Sequence, residues 1–257
     1  MNVTVFAERE QDRTRALHLA EHLGAQTACS KHEASQTPLA LHVGEDGLSL
    51  VGDGMTLHAD FSTMLPRLRP GKLQNELLVR AAKIKGVSNP KVFDATAGLG
   101  EDSFLLAAAG FEVDLYESDS VIAALLQDAL LRAQEHPELA KIVNRMHFHE
   151  GDSVEALAQL AKSDNADQLP DVVYLDPMFP ARTKSAAVKK KFQLLHHLER
   201  PCSNQEEMLD AALSVHPRKT VIKRPPKGPY LANRKPSYSL AGKAVRYDCI
   251  VPPPRSS

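Results

Sequence analysis

Five short, nearly continuous apolar segments, near residues 91–96, 111–117, 145–149, 171–175 and 219–224, alternate with stretches of helical character. Strands that are apolar on both faces need cover on both sides. The intervening helices supply it, so the alternation predicts an α/β domain around a mostly parallel sheet. In open sheets of this kind ligands gather beyond the carboxyl ends of the strands, where the strand order switches. Gly98, Glu117, Asp152 and Asp176 each stand just past one of these strand ends. Together they mark the expected site.

The first strand runs into Asp94-Ala-Thr-Ala-Gly98-Leu-Gly100-Glu101-Asp102, followed by a short helix that Gly110 ends. Gly98 and Gly100 let the backbone turn sharply and approach a ligand. The acid at the end of the next strand, Glu117, is placed to bind two ribose hydroxyls. Dinucleotide-binding enzymes share this arrangement, but Ser103 stands where their third glycine would be. Asp94 and Asp102 also surround the loop with negative charge, which disfavours a diphosphate. Such charge suits a cationic ligand such as S-adenosylmethionine, which carries a sulfonium and an ammonium group. After the third strand, Asp152 can accept from an adenine amino group and the Ser153 N–H can donate to a ring nitrogen. Asp152 or Ser153 can equally cap the helix over residues 154–161, and the two roles are compatible.

The fourth strand ends abruptly in Asp176-Pro177-Met178-Phe179-Pro180. The prolines stop the strand and stiffen the loop. A ring held there can stack on a planar substrate, and a carboxylate can accept a hydrogen bond from an amine on its edge. That combination suits methylation of an exocyclic amino group of a nucleobase. A plain strand stop followed by a turn is the alternative.

The net charge of −1 conceals an asymmetry: residues 182–257 hold 16 Lys and Arg against 5 Asp and Glu, a balance of +11, while residues 1–181 hold 15 against 27, a balance of −12. Arg182, Lys184, Lys189, Lys190 and Lys191 follow the Asp-Pro loop directly, and Lys223, Arg224 and Lys227 flank a proline pair. A basic face beside the target pocket is what a phosphate backbone needs, although charge runs are commonly solvated surface. No apolar run approaches a membrane span, and the first ten residues lack the pattern of a signal peptide. Cys29, Cys202 and Cys249 are odd in number and widely spaced, which suggests reduced thiols in the cytoplasm and argues against a zinc site. The His147-x-His149 pair reads as strand side chains on one face rather than a metal site.

The N-terminal part is organised differently. A short strand and helix over 1–23 and short strands joined by turns near 39–54 predict a small α+β subdomain over residues 1–65. A Pro- and Arg-rich linker and a helix over 73–84 lead into the main domain, 66–257.

The chain resembles a class I, Rossmann-like S-adenosylmethionine-dependent methyltransferase. It is more closely similar to the RsmJ family, which methylates the N2 amine of one guanine in bacterial small-subunit ribosomal RNA. The resemblance is carried by DATAGLGED at 94–102, Tyr116-Glu117, residues 121–126, VVYLDPMFP at 172–180, Lys184–Lys190 and Val221–Pro225, and it covers roughly residues 70–250. It implies cofactor contacts from Glu101, Asp102, Glu117, Ser118, Asp152, Ser153 and Asp176. It also implies a target pocket built from Asp176, the Pro177 carbonyl and Phe179. S-adenosylmethionine is then the cofactor, small-subunit ribosomal RNA or the 30S particle the partner, and neither metal nor membrane is expected. Related amino-methylating enzymes show Asp/Asn-Pro-Pro-Tyr/Phe; here Met178 replaces the second proline. Amino-methylation of another nucleic acid or of protein glutamine, and a non-catalytic RNA-binding module on the same fold, are the competing readings.

Overall fold

The computed structural model describes residues 3–69, 71–163, 165–177, 194 and 205–253. The apolar segments build two sheets. The first holds β1 (Val3–Ala7), β2 (Gln26–Ala28), β3 (Leu39–Gly44), β4 (Gly47–Gly52) and β5 (Met55–His58) in the order β2-β1-β3-β4-β5. β1 runs parallel to both its neighbours, with helix α1 (Arg13–Leu23) making the crossover to β2. A second, four-residue helix, α2 (Lys31–Ala34), starts at a Ser30 cap and precedes β3. β3, β4 and β5 form antiparallel hairpins. The second hairpin turns on Asp53 and Gly54, both at positive φ (49° and 68°), the twist that a two-residue loop needs. β2, α2 and β5 add to the strands and helix expected for this part.

The second sheet holds β6 (Lys91–Asp94), β7 (Glu112–Glu117), β8 (Met146–Glu150), β9 (Val172–Leu175), β10 (Lys219–Arg224), β11 (Tyr238–Ala241) and β12 (Arg246–Ile250). Its order is β11-β12-β10-β9-β6-β7-β8. The five strands expected from the apolar segments are mutually parallel, and β12 and β11 add an antiparallel edge. The chain winds outward from β6 through β7 to β8, then returns to β9 on the other side of β6. The switch in strand order therefore lies between β6 and β9.

Helices cover both faces. α3 (Leu77–Ala82), α4 (Glu101–Ala108), α5 (Ser120–Gln134) and α6 (Pro137–Val143) contribute to one core, and α7 (Ser153–Leu160) and α8 (Gln205–Ser214) to the other. Successive residues of β9 alternate between these cores: Val172 and Tyr174 face the first, Val173 and Leu175 the second. Each fully buried Val or Leu here stabilises the fold by about 1.5–3 kcal/mol relative to exposure. The helix expected over 73–84 is a 3-10 turn at Leu73–Asn75 followed by α3. The buried Lys219 Nζ donates to the carbonyls of Ala81 and Lys83 at 2.8 and 3.0 Å, closing the C-terminal end of α3.

The two sheets meet across α5. Val121, Ile122 and Leu125 share a core with Val5, Leu41, Leu50 and Leu57. Asp128, 4% exposed, fixes this contact. It accepts from the Leu48 N–H at 2.9 Å and from Arg132 at 2.8 Å, and it also pairs with Arg15.

Candidate active site

The loop after β6 is held from beneath. Asp94, 1% exposed, accepts from the Thr96 N–H at 3.0 Å and from the Ser103 hydroxyl at 2.5 Å. Ser103 therefore occupies the position of the missing third glycine in order to anchor the loop. Burial pushes the Asp94 carboxyl up to about 7, against the pull of its two hydrogen bonds. A side chain so enclosed does not fit the direct cofactor contact expected of Asp94; it supports the loop instead.

The two glycines of the loop differ. Gly98 has φ +54° and open space where a Cβ would stand. A Cβ on Gly100, at φ +77°, would lie 2.7 Å from Leu126 and 3.2 Å from Phe61. Gly98 leaves room for a ligand, whereas Gly100 lets α4 begin tightly against its neighbours.

Glu117, at the end of β7, faces this loop. One carboxylate oxygen accepts from the Gly98 N–H at 2.9 Å and the other from the Asp119 N–H at 2.8 Å. Burial raises the pKa of Glu117, and those two N–H groups oppose the shift. Each oxygen retains a second lone pair, the requirement for receiving ribose hydroxyls. Asp119 in turn caps α5 through the N–H groups of Val121 and Ile122. Asp152 caps α7, its Oδ1 accepting from Val154 at 2.7 Å and Glu155 at 3.3 Å. The side chain is exposed, so Oδ2 is available to a ligand. Ser153 is buried at the first position of α7, where a helix N–H has no intrahelical acceptor. Ser118 and Glu101 are exposed.

Asp176 follows β9, at the switch between β6 and β9. Its N–H donates to the Thr96 hydroxyl at 2.7 Å, which ties it to the β6 loop. Its Oδ2 lies 2.8 Å from Lys223 Nζ, and the same Nζ lies 2.6 Å from Asp102 Oδ2. The Tyr174 hydroxyl donates to that Asp102 oxygen, also at 2.6 Å. Pro177 is buried beside Asp176. Burial raises the Asp176 pKa, Lys223 lowers it, and the Asp102 charge raises it again.

Lys223 was expected on an RNA-facing surface, and β10 instead carries it between two carboxylates of the site. Arg224 was expected beside it, yet it is 1% exposed and donates to the Pro229 carbonyl at 2.8 and 2.6 Å. A buried guanidinium so engaged does not suit a phosphate contact. Phe179, Arg182, Lys184, Lys189, Lys190 and Lys191 lie outside the described residues. Of the remaining expected residues, the fold brings Gly98, Glu117, Asp102 and Asp176 to the carboxyl ends of β6, β7 and β9. Asp152 and Ser153 stand beyond neighbouring β8. Thr96, Ser103, Asp119 and Tyr174 belong to the same assembly although the sequence reading did not select them. A tyrosine inside a run as apolar as β9 was the available signal, since a buried hydroxyl needs a partner.

His147 and His149 lie on β8 and pair with Glu112 and Asp114 of neighbouring β7, at 3.7 and 3.2 Å. Among the described residues no group of three His, Cys, Asp or Glu could hold a metal ion. No helix among them is long and apolar enough to cross a membrane.

Carboxylates predominate around an open glycine cradle, with an acceptor pair at the end of β7. That donor set fits the cationic amino-acid end, the ribose and the adenine of S-adenosylmethionine. Fold and site together define a class I S-adenosylmethionine-dependent methyltransferase. A family model described as "Putative SAM-dependent methyltransferase" matches residues 24–252. The chain is 42% identical over 255 residues to Ribosomal RNA small subunit methyltransferase J of Thioalkalivibrio sulfidiphilus, covering 97% of each. It is 39% identical to the protein of that name from Pseudomonas paraeruginosa, over 91% of this chain and 88% of the relative. The chain belongs to the ribosomal RNA small subunit methyltransferase J family. A crystal structure of a SAM-dependent methyltransferase from Neisseria gonorrhoeae superposes with a TM-score of 0.74 at 29% identity, covering 97% of this chain and 96% of the other.

Proposed function

We propose that this enzyme methylates the exocyclic N2 amine of one guanine in small-subunit ribosomal RNA, in the cytoplasm. The carrying observation is Asp176, fixed at the end of β9 by Thr96 and Lys223 in a cluster that adjoins the glycine loop. S-adenosylmethionine supplies a methyl group on sulfonium sulfur and leaves as S-adenosylhomocysteine. Gly98, Glu117, Asp152 and Ser153 would hold it, with Ser118 and the backbone of Glu101 at the rim. Asp102 adds negative charge near its cationic end.

The chain's own part is orientation. The Asp176 carboxylate and the Pro177 carbonyl accept hydrogen bonds from N2 and direct its lone pair at the methyl carbon, and Phe179 stacks on the base. The N–C bond forms as the C–S bond breaks, and N2 gives up one proton to Asp176 or to water. No covalent enzyme intermediate is required. A guanine within structured RNA must first be turned out of its stack.

Charge supports an RNA substrate. From Lys223 to Arg246 the chain carries seven Lys and Arg and no Asp or Glu. Lys227, Arg234, Lys235 and Lys243 are exposed there, together with Tyr230 and Tyr238 at 40% and 41% exposure. Cations for phosphates and rings for bases are the two groups that bind single-stranded RNA. With Arg182, Lys184 and Lys189–Lys191, these residues form the RNA side of the reading.

The test is methyl transfer to a panel: assembled 30S particles, free 16S RNA, duplex DNA and protein. Product confined to N2-methylguanosine in the ribosomal substrates supports the proposal. Label in DNA or in protein glutamine would replace it.

A further inference from the structure

Lys223 enters the carboxylate cluster from β10, the parallel neighbour of β9. Ile222 stands opposite Leu175 in that pairing, so Lys223 and Asp176 come side by side one residue further along. Its ammonium contacts Asp176 at 2.8 Å and Asp102 at 2.6 Å, and Tyr174 completes the set through Asp102. One cation thus serves two carboxylates whose oxygens lie within its reach. Two like charges so close do not both remain ionised in a partly enclosed site without a counter-charge.

We infer that Lys223 is a positioning residue for methyl transfer, holding Asp176 ionised and turned toward the target amine, rather than an RNA phosphate contact. The inference rests on the reading of Asp176 as the acceptor for that amine. A protonated Asp176 would offer a hydrogen where the amine needs a lone pair.

The groups around Asp176 are few. Asp102 faces it from α4, Asp94 from β6, Tyr174 from its own strand, Lys223 and Arg224 from β10, and Tyr247 from β12. Tyr174 and Tyr247 are raised far above neutrality, chiefly by burial, and stay uncharged. Arg224 is engaged with the Pro229 carbonyl. Lys223 stays charged throughout, because Asp102 and Asp176 more than offset its burial. Asp94 titrates near neutrality in every variant, so the reading is a shift relative to wild type rather than an absolute midpoint.

The experiment is single-turnover methylation at saturating RNA and cofactor over roughly pH 6–9. Lys223→Met, Lys223→Arg, Asp102→Asn and Asp176→Ala are compared with wild type. S-adenosylhomocysteine affinity and a salt series of RNA affinity are measured beside the rates. In Lys223→Met the acidic limb should move up by about one unit or more, giving at least a tenfold loss near pH 6.5 that largely recovers near pH 9. Lys223→Arg should keep the limb at its wild-type position. Asp102→Asn, which removes the competing charge, should move the limb down, and this arm holds even if Lys223→Met folds poorly. RNA affinity and its salt slope should be unchanged in Lys223→Met.

A Lys223→Met enzyme with the wild-type limb, or one equally impaired at every pH, overturns the inference. So does a loss of RNA affinity in which the salt slope falls by about one, the mark of a lost phosphate contact. Asp176→Ala separates the two readings. A wild-type rate there would remove the amine-acceptor role itself. An inactive Asp176→Ala beside a wild-type pH profile for Lys223→Met would remove only the role of Lys223.

Discussion

Glu117 is tied by two backbone N–H groups and keeps lone pairs toward the open side of Gly98. Glu117→Ala should weaken S-adenosylhomocysteine binding roughly tenfold to a hundredfold, the loss expected for about 1.5–3 kcal/mol of charged hydrogen bonding. Calorimetry on a variant shown by melting to be folded measures this. Unchanged affinity would mean that the acid does not bind the ribose. Asp94 gives a pH prediction. Its pKa is raised from 3.8 to about 7 in the fold, so the native state binds the extra proton between those values. Its stabilising contribution is fully present below about pH 4 and is lost as the pH rises to 7. Asp94→Asn removes that titration. Denaturant melts of cofactor-free enzyme should show the variant gaining on wild type across this window, by up to about 1.4 kcal/mol per pH unit. Parallel stability curves would contradict it. At this scale the sequence was legible wherever a residue's role follows from its place after a strand, as for Glu117, Asp152 and Asp176. It misled for Lys223 and Arg224, because basic character alone says nothing about burial. Both lie within the segment 219–224 expected to be a strand of the buried sheet, and a cation in such a strand calls for carboxylate or carbonyl partners.

The elements around the loop separate binding from folding. Gly98→Ala places a methyl in open space at a positive φ, so it should cost about 1–2 kcal/mol of backbone strain and principally reduce cofactor affinity. Gly100→Ala adds a clash with Leu126 to the same strain, and its melting temperature should fall further. Melting curves and S-adenosylhomocysteine titrations of the pair check this. Equal melting temperatures would contradict the packing role of Gly100. α5 supplies the other test. Burial pushes Asp128 up, but the Leu48 N–H, Arg132 and Arg15 more than offset it and leave the carboxyl lowered. Its contribution is therefore present at neutral pH and lost as the pH falls through that depressed value. Asp128→Ala should destabilise the protein by about 2–4 kcal/mol at neutral pH and by less in acid, as read from denaturant melts. An equal loss at both pH values would mean that its charge is not what matters. Strands with unbroken apolar runs, such as Val172–Leu175, were legible in the sequence. β11 was not, because Tyr238–Ala241 is a largely exposed edge whose pairing with β12 is set by tertiary contact rather than by local pattern.

Across the whole molecule, charge and topology agree. The acidic residues 1–181 supply the loops that suit a cationic cofactor, and the basic residues 182–257 supply cations for RNA beside them. The N-terminal sheet rests on α5, the helix capped by Asp119, and Asp119 also binds Glu117. We propose the expected division at residues 65 and 66 as two units that fold against each other rather than as a flexible pair. The shared core of Val121, Ile122 and Leu125 with β1, β3 and β4 is the physical reason. The central claim is guanine N2 methylation of small-subunit ribosomal RNA. Its most direct test is to map N2-methylguanosine along 16S RNA from cells that contain the protein, cells that lack it, and cells that carry only Asp176→Ala. The account predicts one N2-methylguanosine present in the first and missing from the other two. The same pattern of N2 methylation in all three would contradict it.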